Sequence, residues 1–115
     1  MIKRRDQLKV QESHEWLGGK GDIKVVHFFE EEDFNGKGRL FGKSILPAGT
    51  SIGYHQHKGD SEAYYILSGE ALVNDNGKEA VLKAGDVLIT KDGHYHSIEN
   101  IGEIDLEYIA LILFS

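Results

Sequence analysis

The sequence predicts an all-β protein built as an antiparallel sandwich or barrel. Short segments rich in β-branched and aromatic residues recur along the chain, and turns containing Gly, Asn or Asp separate them. No helical period of about 3.6 residues persists for the length of a helix. Parallel strands need crossover connections, usually helices, so the lack of helical segments favours antiparallel pairing.

Each strand can be placed from its residue pattern and its flanking turns. Residues 1–22 lack a clear period and predict at most a short leading strand. Pro47 interrupts any ladder after the second strand, and the pair Asn76 and Gly77 is a strong hairpin signal. The predicted strands cover residues 23–29, 39–46, 51–57, 62–68, 70–74, 78–82, 87–90, 95–99 and 106–114.

Length and composition predict one domain over residues 1–115, with residues 1–22 as an N-terminal extension or edge strand. The 13 Lys and Arg residues are outnumbered by 19 Asp and Glu, and the net charge of −6 argues against nucleic acid as a partner. The chain has no cysteine, which excludes disulfides and thiolate metal sites. Without an apolar leader or a membrane-spanning run, the expected location is cytoplasmic, with no membrane contact.

Four side chains indicate a metal site. His55 and His57 are two residues apart on a predicted strand and therefore leave the same face. A turn over residues 58–61 lets a returning strand bring Glu62 alongside, and His96 lies on a later strand that can pair with the first. Three imidazoles and one carboxylate suit one divalent transition metal ion, Mn, Fe, Ni, Co or Zn. They leave one or two octahedral positions open for a small-molecule ligand.

The two histidine-bearing stretches resemble the two motifs of the cupin superfamily. The first motif, G-x5-H-x-H-x(3,4)-E-x6-G, is matched at every defined position, by Gly49, His55, His57, Glu62 and Gly69. The second motif, G-x5-P-x-G-x2-H-x3-N, is matched except at its proline, where Lys91 stands, by Gly85, Gly93, His96 and Asn100. The motifs span residues 49–100, and the departure concerns a turn residue rather than a ligand.

This resemblance implies a double-stranded β-helix, or jelly-roll barrel, with the metal inside its mouth. It also implies Mn or Fe as the favoured ion and a homodimer as the common state. The closing run 108–114 is apolar on both faces, so both faces require cover. The core covers one face, and either a partner subunit or an N-terminal strand of the same chain covers the other.

Strand parity predicts the surroundings of the metal. If Glu62 faces inward, Tyr64 and Ile66 face inward on the same strand, and an inward His96 implies an inward Ile98. The pocket wall is therefore expected to be aromatic and aliphatic.

Charged and polar candidates for the pocket are few. Oxalate-degrading cupins carry an arginine three residues before the first motif histidine, and Ile52 stands at that position, which lowers the weight of oxalate chemistry. Arg39, the only arginine after residue 5, could enter the pocket from its own strand. His94 could share the face of His96 at the pocket rim.

The resemblance implies a metal-dependent enzyme, similar to dioxygenases, decarboxylases or isomerases, that acts on a small oxygen-chelating organic molecule. The alternative is a binding or sensor cupin that holds a metal or small ligand without turnover. This alternative is favoured by the short chain, which shows no additional acid or base on a lid. A purely structural module without metal is a third interpretation.

Overall fold

The computed structural model describes residues 1–115 and contains ten β-strands with three short 3-10 helices. The helices cover Arg5–Gln7, Trp16–Gly18 and Glu31–Phe34. The strands are β1 (Lys9–His14), β2 (Asp22–His27), β3 (Gly38–Leu46), β4 (Ser51–Gln56), β5 (Asp60–Ser68), β6 (Glu70–Asp75), β7 (Lys78–Lys83), β8 (Val87–Thr90), β9 (Tyr95–Asn100) and β10 (Leu106–Phe114). No helix is long and apolar enough to cross a membrane.

The strands form two sheets, and every pairing is antiparallel. One sheet has six strands in the order β1-β2-β3-β10-β5-β8, and the other has four in the order β4-β9-β6-β7. Neighbours such as β3 and β10 are distant in the chain, which is the connectivity of a jelly roll. The predicted all-β, antiparallel jelly-roll fold is thus confirmed.

The predicted strands agree with the observed ones to within two residues at each end. The leading strand exists as β1, which forms the edge of the six-stranded sheet. The hairpin between β6 and β7 turns at Asn76 and Gly77, whose φ angles of 51° and 99° suit a tight turn with positive φ at both positions. The largest differences are at the end of β2, which stops at His27 instead of residue 29, and at the start of β5, which begins at Asp60 and shortens the turn predicted over residues 58–61.

The two sheets enclose one apolar core. Alternate residues of β10 face inward, from Leu106 to Ile112, and are at most 4% exposed. They pack with inward residues of β5, β6 and β9, including Ile66, Val73 and Ile98. The inward parity predicted for Ile66 and Ile98 agrees with this core.

The outer face of the six-stranded sheet is also apolar. Tyr65, Leu67, Val87 and Ile89 on β5 and β8 are 40% to 60% exposed, and Ile109 of β10 lies directly beside Tyr65. The N-terminal strands do not cover this face, because β1 and β2 extend the sheet at its edge. Cover by an N-terminal strand of the same chain, one of the two expected alternatives, is therefore wrong.

The segment after β1 packs against β4 through close backbone contact. A Cβ atom at Gly53 of β4 would lie 1.9 Å from the carbonyl oxygen of Leu17, so only glycine permits this approach. Leu17 itself has a φ angle of 54°, a left-handed conformation that is unusual for a leucine. The residues from Lys9 to Gly19, here called the N-terminal arm, are thereby held over one end of the barrel.

Candidate metal centre

Three of the four predicted ligands lie on strands, and the strands belong to both sheets. His55 on β4 lies opposite His96 on β9 in the antiparallel register, as expected. His57 follows the end of β4. Its backbone still pairs with the loop before β9, because its N–H donates a hydrogen bond to the carbonyl oxygen of His94 at 2.9 Å. Glu62 projects inward from β5 of the other sheet and is 5% exposed.

The donor atoms of these side chains converge on one point. Nε2 of His96 lies 3.0 Å from Nε2 of His55, 3.1 Å from Nε2 of His57 and 3.1 Å from Oε1 of Glu62. Nε2 of His57 lies 3.0 Å from the same carboxylate oxygen. All four donor atoms lie within 4.8 Å of one another. The structure therefore brings together the set that the sequence proposed.

The other ring nitrogen of each histidine has its own partner. Nδ1 of His55 donates to the carbonyl oxygen of Gly53 at 2.7 Å, and Nδ1 of His57 donates to Oδ1 of Asp60 at 2.7 Å. Nδ1 of His96 lies 2.7 Å from Oγ1 of Thr90. Protonation at Nδ1 leaves each Nε2 free as a lone-pair donor, the tautomer that metal ligation requires.

The spacing of the donor atoms fits a metal ion. Ligands about 2.1 Å from a metal lie about 3.0 Å apart when they are adjacent in an octahedron and about 3.4 Å apart in a tetrahedron. Four of the six separations are 3.0 to 3.1 Å and match the octahedral value for adjacent ligands, whereas the whole set of donor atoms extends to 4.8 Å, longer than the distance of about 4.2 Å between opposite ligands. An octahedral ion with four protein ligands has two further positions for a small molecule.

Electrostatics favour an ionised carboxylate at the centre. Burial opposes ionisation of Glu62, but hydrogen bonds from His57 and His96 outweigh it and lower its pKa. The hydrogen bond with Glu62 raises the pKa of His57 against the opposing effect of burial, and Asp60 adds to the increase. Burial lowers the pKa of His55. Since a ligating histidine must be neutral, a metal ion at this site would compete with protonation of His57.

A cavity of about 470 Å³ is lined by three of these four side chains, His55, His57 and Glu62. Its apolar wall includes Ile52 and Tyr64, and the ring of Tyr64 stacks on His96 with the centroids 5.1 Å apart. Ile66 and Ile98 face inward but belong to the core and do not line the cavity. His94 precedes β9, is exposed and does not line it either.

Sequence reasoning missed the contribution of the N-terminal arm. Gln11, Ser13, Trp16 and Leu17 line the cavity although residues 1–22 carried no recognisable pattern. His27 donates a hydrogen bond from Nε2 to Oε1 of Gln11 at 2.9 Å and also lines the cavity. The pairing of β1 with β2 and the packing of the Trp16–Gly18 segment on β4 bring these residues to the site, so no local signal could have found them.

Two more residues near the metal ligands were not anticipated. Asp60 was read as part of a turn, yet its side chain is 6% exposed and joins His57 to Arg39, whose Nε donates to Oδ2 at 2.9 Å. The position of Asp60 three residues after the motif histidine His57 was the sequence signal that could have identified this contact. Tyr108 of β10 lines the cavity with a buried hydroxyl that has no hydrogen-bond partner. Burial and the charge of Glu62 raise its pKa, so the hydroxyl stays protonated.

Comparison with known proteins agrees with the fold and the site. A family model described as a cupin domain matches residues 42–112. The match covers more than half of the chain and both histidine-bearing stretches. The chain therefore belongs to the cupin family.

A similar protein and a similar solved structure both come from Thermotoga maritima. One is named an oxalate-binding protein and is 43% identical over 98% of this chain and 93% of its own length. The other is the crystal structure of a predicted oxalate decarboxylase, 43% identical with a TM-score of 0.94 and full coverage of both chains. A cupin domain from Schizosaccharomyces pombe, 23% identical with a TM-score of 0.73, covers 91% of this chain and 69% of its own, and shows the fold alone.

Proposed function

We propose that this protein is a metal-dependent cupin that binds a small organic anion chelating through its oxygen atoms, with oxalate as the first candidate. The observation that carries the proposal is the convergence of three Nε2 atoms and one carboxylate oxygen, with every Nδ1 already hydrogen-bonded within the protein. His55, His57, Glu62 and His96 would hold one divalent ion, with Mn or Fe favoured. A bound ion would supply Lewis acidity to the chelating oxygens.

The chain's own residues shape the space beside this centre. Ile52 and Tyr64 present an apolar wall that excludes bulk water and strengthens electrostatic attraction to an anion. Residues of the N-terminal arm form part of the wall of the cavity, whose volume of about 470 Å³ suits a small ligand. The absence of an arginine at position 52 had lowered the weight of oxalate chemistry. The names of the Thermotoga protein and of the solved structure restore oxalate as a candidate.

Calorimetric titration with oxalate tests this proposal. We expect Mn²⁺-loaded protein to bind oxalate at least about tenfold more tightly than metal-free protein, because the free metal positions accept its oxygens. Acetate, which offers a single carboxylate, should bind more weakly than oxalate. Equal oxalate affinity with and without the metal would contradict metal-dependent binding.

Turnover of the bound anion is the second candidate function. It is favoured by the Tyr108 hydroxyl, a protonated donor without a protein partner that lies on the same cavity wall. Incubation of the Mn²⁺-loaded protein with oxalate, and with a panel of α-keto acids, catechols and sugar phosphates under O₂, separates the two candidates. Release of CO₂ from oxalate, or any other product, indicates an enzyme, whereas binding without product indicates a sensor or carrier.

We also propose a homodimer that buries the apolar outer face of the six-stranded sheet. Val87 and Ile89 lie on the edge strand β8 and are 56% and 60% exposed, with Tyr65 and Leu67 beside them on β5. A contiguous apolar face of this kind is unusual on a monomer. A second copy of the same face would cover it in a self-complementary contact.

A charge placed on this face should dissociate the dimer. Light scattering after size exclusion is expected to give twice the chain mass of 12.9 kDa for the unmodified protein. Val87→Lys combined with Ile89→Lys should give the mass of one chain, because a dimer would bury both charges. Val81→Lys, at an equally exposed position on β7 of the other sheet, is the matched control and should stay dimeric. A monomeric unmodified protein would refute the proposal.

A further inference from the structure

Arg39 occupies an irregular position in the sheet. The register between β3 and β10 shifts there: Leu40 pairs with Ile112 and Gly38 pairs with Leu113, which leaves Arg39 as the extra residue of a β-bulge. The side chain of Leu40 lies toward the core. Strict alternation along the strand would place the side chain of Arg39 on the opposite face of the sheet. A bulge redirects a side chain, and bulges are common beside functional sites. Arg39 accordingly lines the metal-site cavity.

Arg39 is the single permanently charged cation of that cavity. Among the 18 residues that line it, only Arg39 and Glu62 carry a full charge when the histidines are neutral. With a divalent ion and the buried Asp60 carboxylate included, the centre carries a net positive charge of one. Such a centre attracts an anion and disfavours a neutral or cationic ligand.

The guanidinium is held in a defined orientation. Its Nε donates to Oδ2 of Asp60 at 2.9 Å, and the other oxygen of that carboxylate accepts the Nδ1 proton of His57. The Arg39 side chain is half exposed, and no protein acceptor is bonded to either of its Nη atoms. Two hydrogen bonds through Asp60 therefore link the guanidinium of Arg39 to the proposed metal ligand His57. The N–H groups at the two Nη atoms of Arg39 remain available to a ligand.

We propose that Arg39 is the anion-recognition residue of this cavity and selects small dicarboxylates over monocarboxylates. One oxygen from each carboxylate of the ligand would chelate the metal, and the outward oxygens would accept hydrogen bonds from the Nη groups of Arg39. Arginine is suited to this role because its planar N–H groups match carboxylate oxygens. The inference rests on the proposed function and places the cation on β3 instead of at position 52.

Replacing Arg39 by glutamine tests the assignment. Arg39→Gln should weaken oxalate binding to the Mn²⁺-loaded protein by about 10- to 100-fold, the range of a charge-assisted hydrogen bond. Acetate affinity and Mn content should change by less than about twofold, because the metal ligands remain. Arg39→Lys should recover part of the oxalate affinity, since it keeps the charge and loses the planar geometry.

Lys83→Gln is the matched control, because it removes one exposed positive charge at the far end of β7. It should leave oxalate affinity unchanged and so exclude a general effect of net charge. If unmodified protein binds oxalate and Arg39→Gln binds it equally with the same Mn content, the assignment of Arg39 is wrong. If unmodified loaded protein binds no oxalate, the proposed function itself fails, whatever the variants do.

Discussion

Replacing His55 and His57 together by alanine is expected to abolish metal binding. Apparent binding free energies of about 10–16 kcal/mol at four-ligand structural zinc sites correspond to roughly 2.5–4 kcal/mol per ligand. Two lost ligands would therefore weaken affinity by about 10⁴-fold or more. His96 and Glu62 remain in the variant, but they supply only half of the donor set.

Elemental analysis of purified protein, without added metal, measures this effect. The unmodified protein should contain about one transition metal ion per chain, and the double variant should contain only background amounts. His94→Ala is the control, because His94 is exposed and lies outside the cluster. Equal metal content in the unmodified protein and the double variant would refute the site.

Metal removal is expected to lower thermal stability markedly, because the ligands join the two sheets. His55 and His96 come from the four-stranded sheet, and Glu62 comes from the six-stranded sheet. A metal present at about 1,000 times its Kd stabilises the folded state by about 4 kcal/mol. For a chain of this length that corresponds to an increase in Tm of about 10–20 °C.

Thermal melts followed by circular dichroism, with Mn²⁺ and with chelator, give this difference directly. The variant lacking His55 and His57 should show no change in Tm on adding Mn²⁺, which separates binding at this site from weak binding elsewhere. A metal-independent Tm in the unmodified protein, under conditions where elemental analysis shows bound metal, would mean that the ion does not hold the sheets together.

The strands were predictable because their signals are local. Alternating apolar residues, the turn at Asn76 and Gly77 and the proline after β3 act within a few residues of themselves. The convergence of the four side chains was predictable for a related reason, since the spacing of His55 and His57 places both rings on one face. Antiparallel pairing then brought His96 to the same point.

The surroundings of the cluster were less predictable. Parity correctly placed Tyr64, Ile66 and Ile98 inward, but it could not tell which of them faces the cavity and which the core. That difference depends on where the two sheets separate. His94 precedes both the predicted and the observed strand, and it is exposed and outside the cavity, so the parity argument from His96 did not apply to it.

The sequence by itself determined an antiparallel all-β protein, the positions of its strands along the chain and the four side chains that converge on one point, and its resemblance to the cupins implied the jelly roll. Only the tertiary structure decided what encloses that point: the N-terminal arm over the cavity, the β-bulge that redirects Arg39 and the carboxylate of Asp60 between Arg39 and His57. Local patterns record which face of a strand a residue occupies. They do not record which distant segment packs against that face, because such contacts depend on the shapes of both partners.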